Sequence, residues 1–91
     1  MEVKEVSDTL GVSEEELVRR GVKAYLEMEY RRVKAEIYSI LSRYGVGSLG
    51  ELDERISGGG LSETDTFDDF TRLDYLDSMR EKIEGLLGGS T

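Results

Sequence analysis

Residues 13–44 read SEEELVRRGVKAYLEMEYRRVKAEIYSILSRY, and this run predicts one long helix. Ser13 stands before three glutamates, so its hydroxyl can accept from a free amide while Glu16 reaches back, a capping box. Glu14, Glu15 and Glu16 also put negative charge where the helix dipole is positive. From there to Tyr44 only Gly21 opposes a helix, at about 1 kcal/mol relative to Ala. Gly45 and Gly47 then supply a stop. Such a helix spans about 45 Å at 1.5 Å per residue, too long for a compact sphere of 91 residues. The chain is therefore expected to be elongated or paired.

The apolar pattern of the run says what covers it. Leu26, Tyr30, Val33, Ile37, Ile40 and Tyr44 are spaced 4, 3, 4, 3, 4, a coiled-coil-like seam. This seam is the expected dimer contact. Upstream, Val18, Val22 and Leu26 run at 4, 4, a shift of phase that predicts a different neighbour there. Leu17, Tyr25 and Leu41 widen the stripe towards the width a bundle needs.

Downstream, the same start logic recurs. Ser48 and Glu51 form a second capping box, and Leu49, Leu52 and Ile56 make one apolar face, ended by Ser57 and the glycines at 58–60. Ser62, Thr64, Asp65 and Thr66 are all able to cap a last helix. Its apolar residues are Phe67, Phe70, Leu73, Leu76, Met79, Ile83 and Leu86 or Leu87. The reading is a single helical domain over residues 1–91: a long helix at 13–44, a short helix at 48–57, a glycine-rich hinge at 58–65 and an acidic closing helix at 66–87. Gly88 to Thr91 are expected to fray. The fold class is all-α, an antiparallel helical hairpin forming a dimeric bundle, because cores of this size often need oligomerisation.

Composition removes whole classes of function. Cys, His, Pro, Trp, Asn and Gln are all missing. Without Cys and His there is no disulfide scaffold, thiol nucleophile, zinc finger or imidazole base. Without Pro, long uninterrupted helices are favoured. Absent amides fit a protein from a hot-growing host. No apolar run is long enough to span a membrane and the first residues lack a signal-peptide core, so a cytoplasmic protein is expected. The net charge of −8 makes nucleic acid a poor main partner. It is unevenly placed: residues 62–91 hold eight acids against three bases, whereas 13–44 are nearly neutral. The acidic closing helix is expected to lie beside Arg20, Lys23, Arg31, Arg32 and Lys34, in pairs worth about 0–1 kcal/mol each.

Carboxylates recur at i, i+3 in Glu51–Glu54, Asp65–Asp68, Asp74–Asp77 and Glu81–Glu84, a spacing that puts both on one helix face and could chelate Mg²⁺. Among so many acids these pairs arise by chance. A metal enzyme would also need them turned inward, where Leu52, Phe67, Leu73 and Leu76 take the spacing. The serines have no base to activate them, and the triple glycine lacks the strand, helix and lysine of a phosphate loop. No catalytic, cofactor or metal residue is assigned.

Aromatic residues remain. Tyr25, Tyr30, Tyr38 and Tyr44 mark the long helix, as core or dimer contacts. Phe67, Asp68, Asp69 and Phe70 open the last helix as an aromatic pair flanking two acids. The plain expectation for that motif is core packing with a charged first turn. The functional one is an anchor that inserts rings into a partner's groove.

Leu10–Glu27, with Gly-Val-Ser opening Glu-Leu-Val-Arg and then Tyr-Leu, resembles the second helix of ribbon-helix-helix antitoxin repressors. The DNA-reading strand and first full helix of that family need more residues than precede Gly11. The whole chain is similar to small, charged, helical prokaryotic proteins of archaeal type that are thought to be antitoxins. The resemblance lies in Arg43–Val46 ending the long helix, Ser48–Leu52, a Gly-containing turn, the aromatic-acidic patch Phe67–Asp69 and a Leu-rich closing helix. It implies a non-enzymatic antitoxin that dimerises and neutralises a protein partner, such as an RNase-type toxin, through Phe67, Asp68, Asp69 and Phe70. The alternatives are a coiled-coil adaptor with no toxin partner, or a repressor binding DNA through Arg19, Arg20 and Lys23.

Overall fold

The computed structural model describes residues 2–89. It is helical throughout, with no strand among the described residues: α1 Val3–Leu10, α2 Glu14–Arg43, α3 Leu49–Ser57 and α4 Glu63–Gly89. The long helix and the acidic helix form an antiparallel hairpin, and the molecule measures 61 × 24 × 17 Å. Helix α3 packs on α4, and α1 packs against α2.

The starts of α2, α3 and α4 are each set by a serine. The Ser13 hydroxyl accepts from the Glu16 amide at 3.1 Å, but Glu16 does not complete the box, because Arg19 and Arg20 take its carboxylate. Ser48 accepts from the Glu51 amide at 3.1 Å, and the Glu51 carboxylate reaches one residue further back, to the Gly47 amide at 2.7 Å. In α4 the cap is Ser62, which accepts from the Asp65 amide at 3.3 Å. The closing helix therefore begins three residues before the expected Thr66. Thr66 is instead buried inside the first turn, its hydroxyl donating to the Ser62 carbonyl at 2.8 Å.

Helix ends follow glycine. Tyr44 closes α2, Gly45 takes φ 66°, and the Gly45 and Val46 amides donate back to the Ser42 and Leu41 carbonyls, a Schellman pair that satisfies the last carbonyls. The triple glycine repeats it. Gly59 has φ 80°, and the Gly59 and Gly60 amides return to Ile56 and Arg55. These glycines make a hydrogen-bonded stop, and the loop to α4 is shorter than the expected hinge at 58–65. At the far end α4 continues through Gly88 and Gly89, where fraying was expected; Ser90 and Thr91 lie outside the described residues.

Residues 3–10 form a helix beyond the three expected. Val3, Val6, Ser7 and Leu10 share one face, and Gly11 ends it at φ 71°. Ser7 is buried, and its hydroxyl donates to the Val12 carbonyl. This donation stitches α1 to the turn before α2.

Val33, Ile40, Leu41, Val46, Leu52, Leu73, Leu76 and Ile83 are buried as one cluster, with Leu26, Tyr30, Ile37, Tyr44, Phe70 and Leu87 packed around it. The expected dimer seam is thus filled from within the chain. Leu26, Tyr30, Val33, Ile37, Ile40 and Tyr44 line this core, where α4 supplies the facing residues. An antiparallel helix tethered to the seam through α3 reaches it at far higher effective concentration than a second copy does.

Candidate protein-binding surface

The corner where the end of α2 meets α3 and the start of α4 is held by four polar contacts. The Arg55 guanidinium donates to the Tyr44 carbonyl at 2.8 Å and to the Gly45 carbonyl at 3.5 Å. A cation at a helix carboxyl end also opposes the dipole there. Across the hairpin, the Tyr44 hydroxyl donates to Asp69 at 2.5 Å, and Arg43 lies 3.6 Å from the same carboxylate. The hydrogen bond to Asp69 and partial burial push the Tyr44 phenol up from its ordinary pKa.

These contacts divide the Phe-Asp-Asp-Phe motif. Asp69 and Phe70 face inward, one bound to Tyr44 and the other packed on the core. Phe67 is 64% exposed, and Asp68 is exposed beside it. The expected inward position of Phe67 is taken by Thr66, which lies four residues before Phe70 and so shares its face. Phe67 stands about a quarter turn away. Its ring separates two shallow clefts. One, of about 360 Å³, is lined by Glu63, Thr64, Phe67 and Asp68. The other, of about 210 Å³, is lined by Asp53, Ile56, Glu63, Phe67 and Phe70. Neither lining contains a basic side chain. An apolar ring amid carboxylates is thus offered on a corner fixed to both long helices.

The basic residues of α2 are not available to α4 in the way the charge map implied. Arg20 pairs with Glu16 and Arg32 with Glu29, while the Lys34 ammonium sits 4.4 Å from the centre of the Tyr30 ring. These hydrogen bonds hold the Glu16 and Glu29 carboxyls below their ordinary pKa. The hairpin is bridged instead by Arg72 to Glu36 at 2.9 Å, by Arg43 to Asp69 and by the Tyr30 hydroxyl to Glu84 at 3.2 Å. Local partners three or four residues away win because a helix presents them without ordering a second element.

Two other candidate sites are different in kind. Arg19, Arg20 and Lys23 line an open concavity on α2 together with Glu16, Val22 and Leu26. Glu16 binds both arginines there, so it competes with any phosphate. The paired carboxylates of α3 and α4 do not converge: no group of three or more ligands able to hold a metal occurs among the described residues. Val18 and Val22 of the upstream phase shift and Tyr25 of the widened stripe stand exposed on α2, and beside them so does Met28, which the sequence pattern alone does not single out.

No helix among the described residues is long and apolar enough to cross a membrane. The model of a family described as the uncharacterized protein MJ0235 family matches residues 1–88. The chain is 28% identical over 69 residues to the uncharacterized protein MJ0235 of Methanocaldococcus jannaschii, an alignment covering 76% of this chain and 84% of that relative. That relative comes from an archaeal thermophile. No solved structure matches the chain.

Proposed function

The chain belongs to the MJ0235 family, and from its geometry we propose that it is a non-enzymatic, antitoxin-like protein that binds and masks the basic surface of a partner. The observation that carries this reading is Phe67, an exposed aromatic ring bordered by Asp53, Glu63 and Asp68. An aromatic anchor supplies contact area at small entropic cost, and the carboxylates around it steer a cationic partner. An enzyme that cleaves RNA presents such a cationic surface, because it must hold a phosphate backbone. Acids arrayed around one ring imitate that backbone and block access. The missing amides and the thermophilic relative support a hot-growing source for the protein.

Co-expression with the product of the adjacent gene tests the proposal. The expected result is a complex that co-purifies and relieves growth arrest, with Phe67→Ala and Asp68→Lys each weakening it at least about tenfold. No complex and no relief of growth would sink the proposal. A coiled-coil adaptor, by contrast, would keep its biology when both residues are replaced.

A further inference from the structure

Helix α2 carries a second seam. Glu14, Val18, Gly21, Tyr25, Met28 and Arg32 are spaced 4, 3, 4, 3, 4, the same heptad rhythm as the buried face. Its apolar members stay exposed among the described residues: Val18 is 50%, Tyr25 58% and Met28 51% exposed. Val22 flanks the seam at 54%. Gly21 lies within it, and a Cβ added there would meet nothing within 4 Å. A helical glycine costs stability, and no packing inside the chain accounts for this one.

We propose that this seam pairs with a second copy of the chain, antiparallel, about a two-fold axis near residue 23. The occupant follows from the seam's own complementarity. In that register Val18 faces Met28 of the second copy, and Gly21 faces its Tyr25. Glu14 at one end of the seam faces Arg32 of the second copy at the other, an exposed arginine that also holds Glu29 of its own chain. Antiparallel heptads alternate in this a-to-d manner. The glycine opens the hole that the tyrosine ring fills, and each end of the seam closes with opposite charges. A parallel pairing would instead put Glu14 on Glu14 and Arg32 on Arg32. The seam is distinct from the Phe67 corner, so a dimer leaves both of those corners free.

The test is sedimentation of the full chain over concentrations up to about 1 mM, the range in which small interfaces associate. The expected result is a doubling of apparent mass as concentration rises. Gly21→Ala gives the distinguishing readout. It raises the melting temperature of the dilute monomer, because alanine favours helix and meets no obstacle, yet it weakens the dimer about tenfold by filling the hole. Glu14→Arg and Arg32→Glu each weaken the dimer, and the double variant recovers it, with circular dichroism confirming that each stays helical. The chain has no cysteine, so Val22→Cys should form a disulfide-linked dimer on oxidation while Thr71→Cys does not. A monomer at every concentration overturns the proposal. So does a dimer indifferent to Gly21→Ala, or a charge reversal without recovery.

Discussion

The Tyr44 hydroxyl donates to the Asp69 carboxylate at 2.5 Å, tying the last residue of the long helix's seam to the first turns of the acidic helix. Removing that hydroxyl leaves the half-buried carboxylate with Arg43 at 3.6 Å as its counter-charge. Tyr44→Phe is expected to cost about 1 kcal/mol, the net worth of such a bond. Urea unfolding should show a lower midpoint at unchanged slope.

Stability should fall at both extremes of pH. Glu16 and Glu29 have lowered pKa values through hydrogen bonds to arginine. The stability they contribute is present above the ordinary carboxylate value of 4.5 and is lost as pH falls through the folded values. Tyr44, through its bond to Asp69, and Tyr30, chiefly through desolvation, have raised values. Their contribution is present below the ordinary phenol value of 10.0 and is lost as pH rises through the folded ones. Thermal melts across pH should fall at both ends, and Tyr44→Phe should flatten the alkaline limb.

Leu52 and Phe67 should separate structure from surface. Leu52 is 0% exposed, and Leu52→Ala is expected to cost about 2–5 kcal/mol through lost burial and the cavity left behind. For a domain of this size that is a large part of total stability. Phe67→Ala should stay within about 0.5 kcal/mol, as exposed substitutions do. Calorimetry on the two variants checks the contrast.

Ser62→Ala should cost about 1 kcal/mol, because its hydroxyl caps α4. Thr64→Ala, on an exposed position just inside the same helix, should cost little. Hydrogen exchange should speed up in the first turn of α4 in the first variant only.

Gly59→Ala should cost about 1–2 kcal/mol, since φ 80° places a Cβ against the following carbonyl. Unfolding in guanidinium measures this loss. The loosened stop should also free α3, so hydrogen exchange should rise at Leu52 and Ile56.

Much of this architecture is legible along the chain because it is local. A serine three residues before an amide, a glycine after the last turn and apolar residues at 3 and 4 all act within two turns of helix. Those relations place α2 and α3 to within a residue. The start of α4 was harder because Ser62, Thr64, Asp65 and Thr66 offer the same cap chemistry in sequence. The winner depends on which face turns inward, and burying Thr66 with Phe70 settles it. Helix α1 is not legible in the sequence because eight residues are too few to hold a helix without a neighbour.

The sequence alone dictates that this protein is helical, where α2 and α3 cap and stop, and that it lacks the imidazole and thiol chemistry of many catalysts. It could not say which helix covers which seam, because a heptad stripe accepts any apolar partner and only chain connection selects α4 of the same molecule over another copy. Nor could it say which phenylalanine of residues 67–70 faces solvent. A helix turns about 100° per residue, so one step of register in the hairpin decides whether a ring joins the core or stands among carboxylates. The tertiary structure made that choice, burying Thr66 and leaving Phe67 outside.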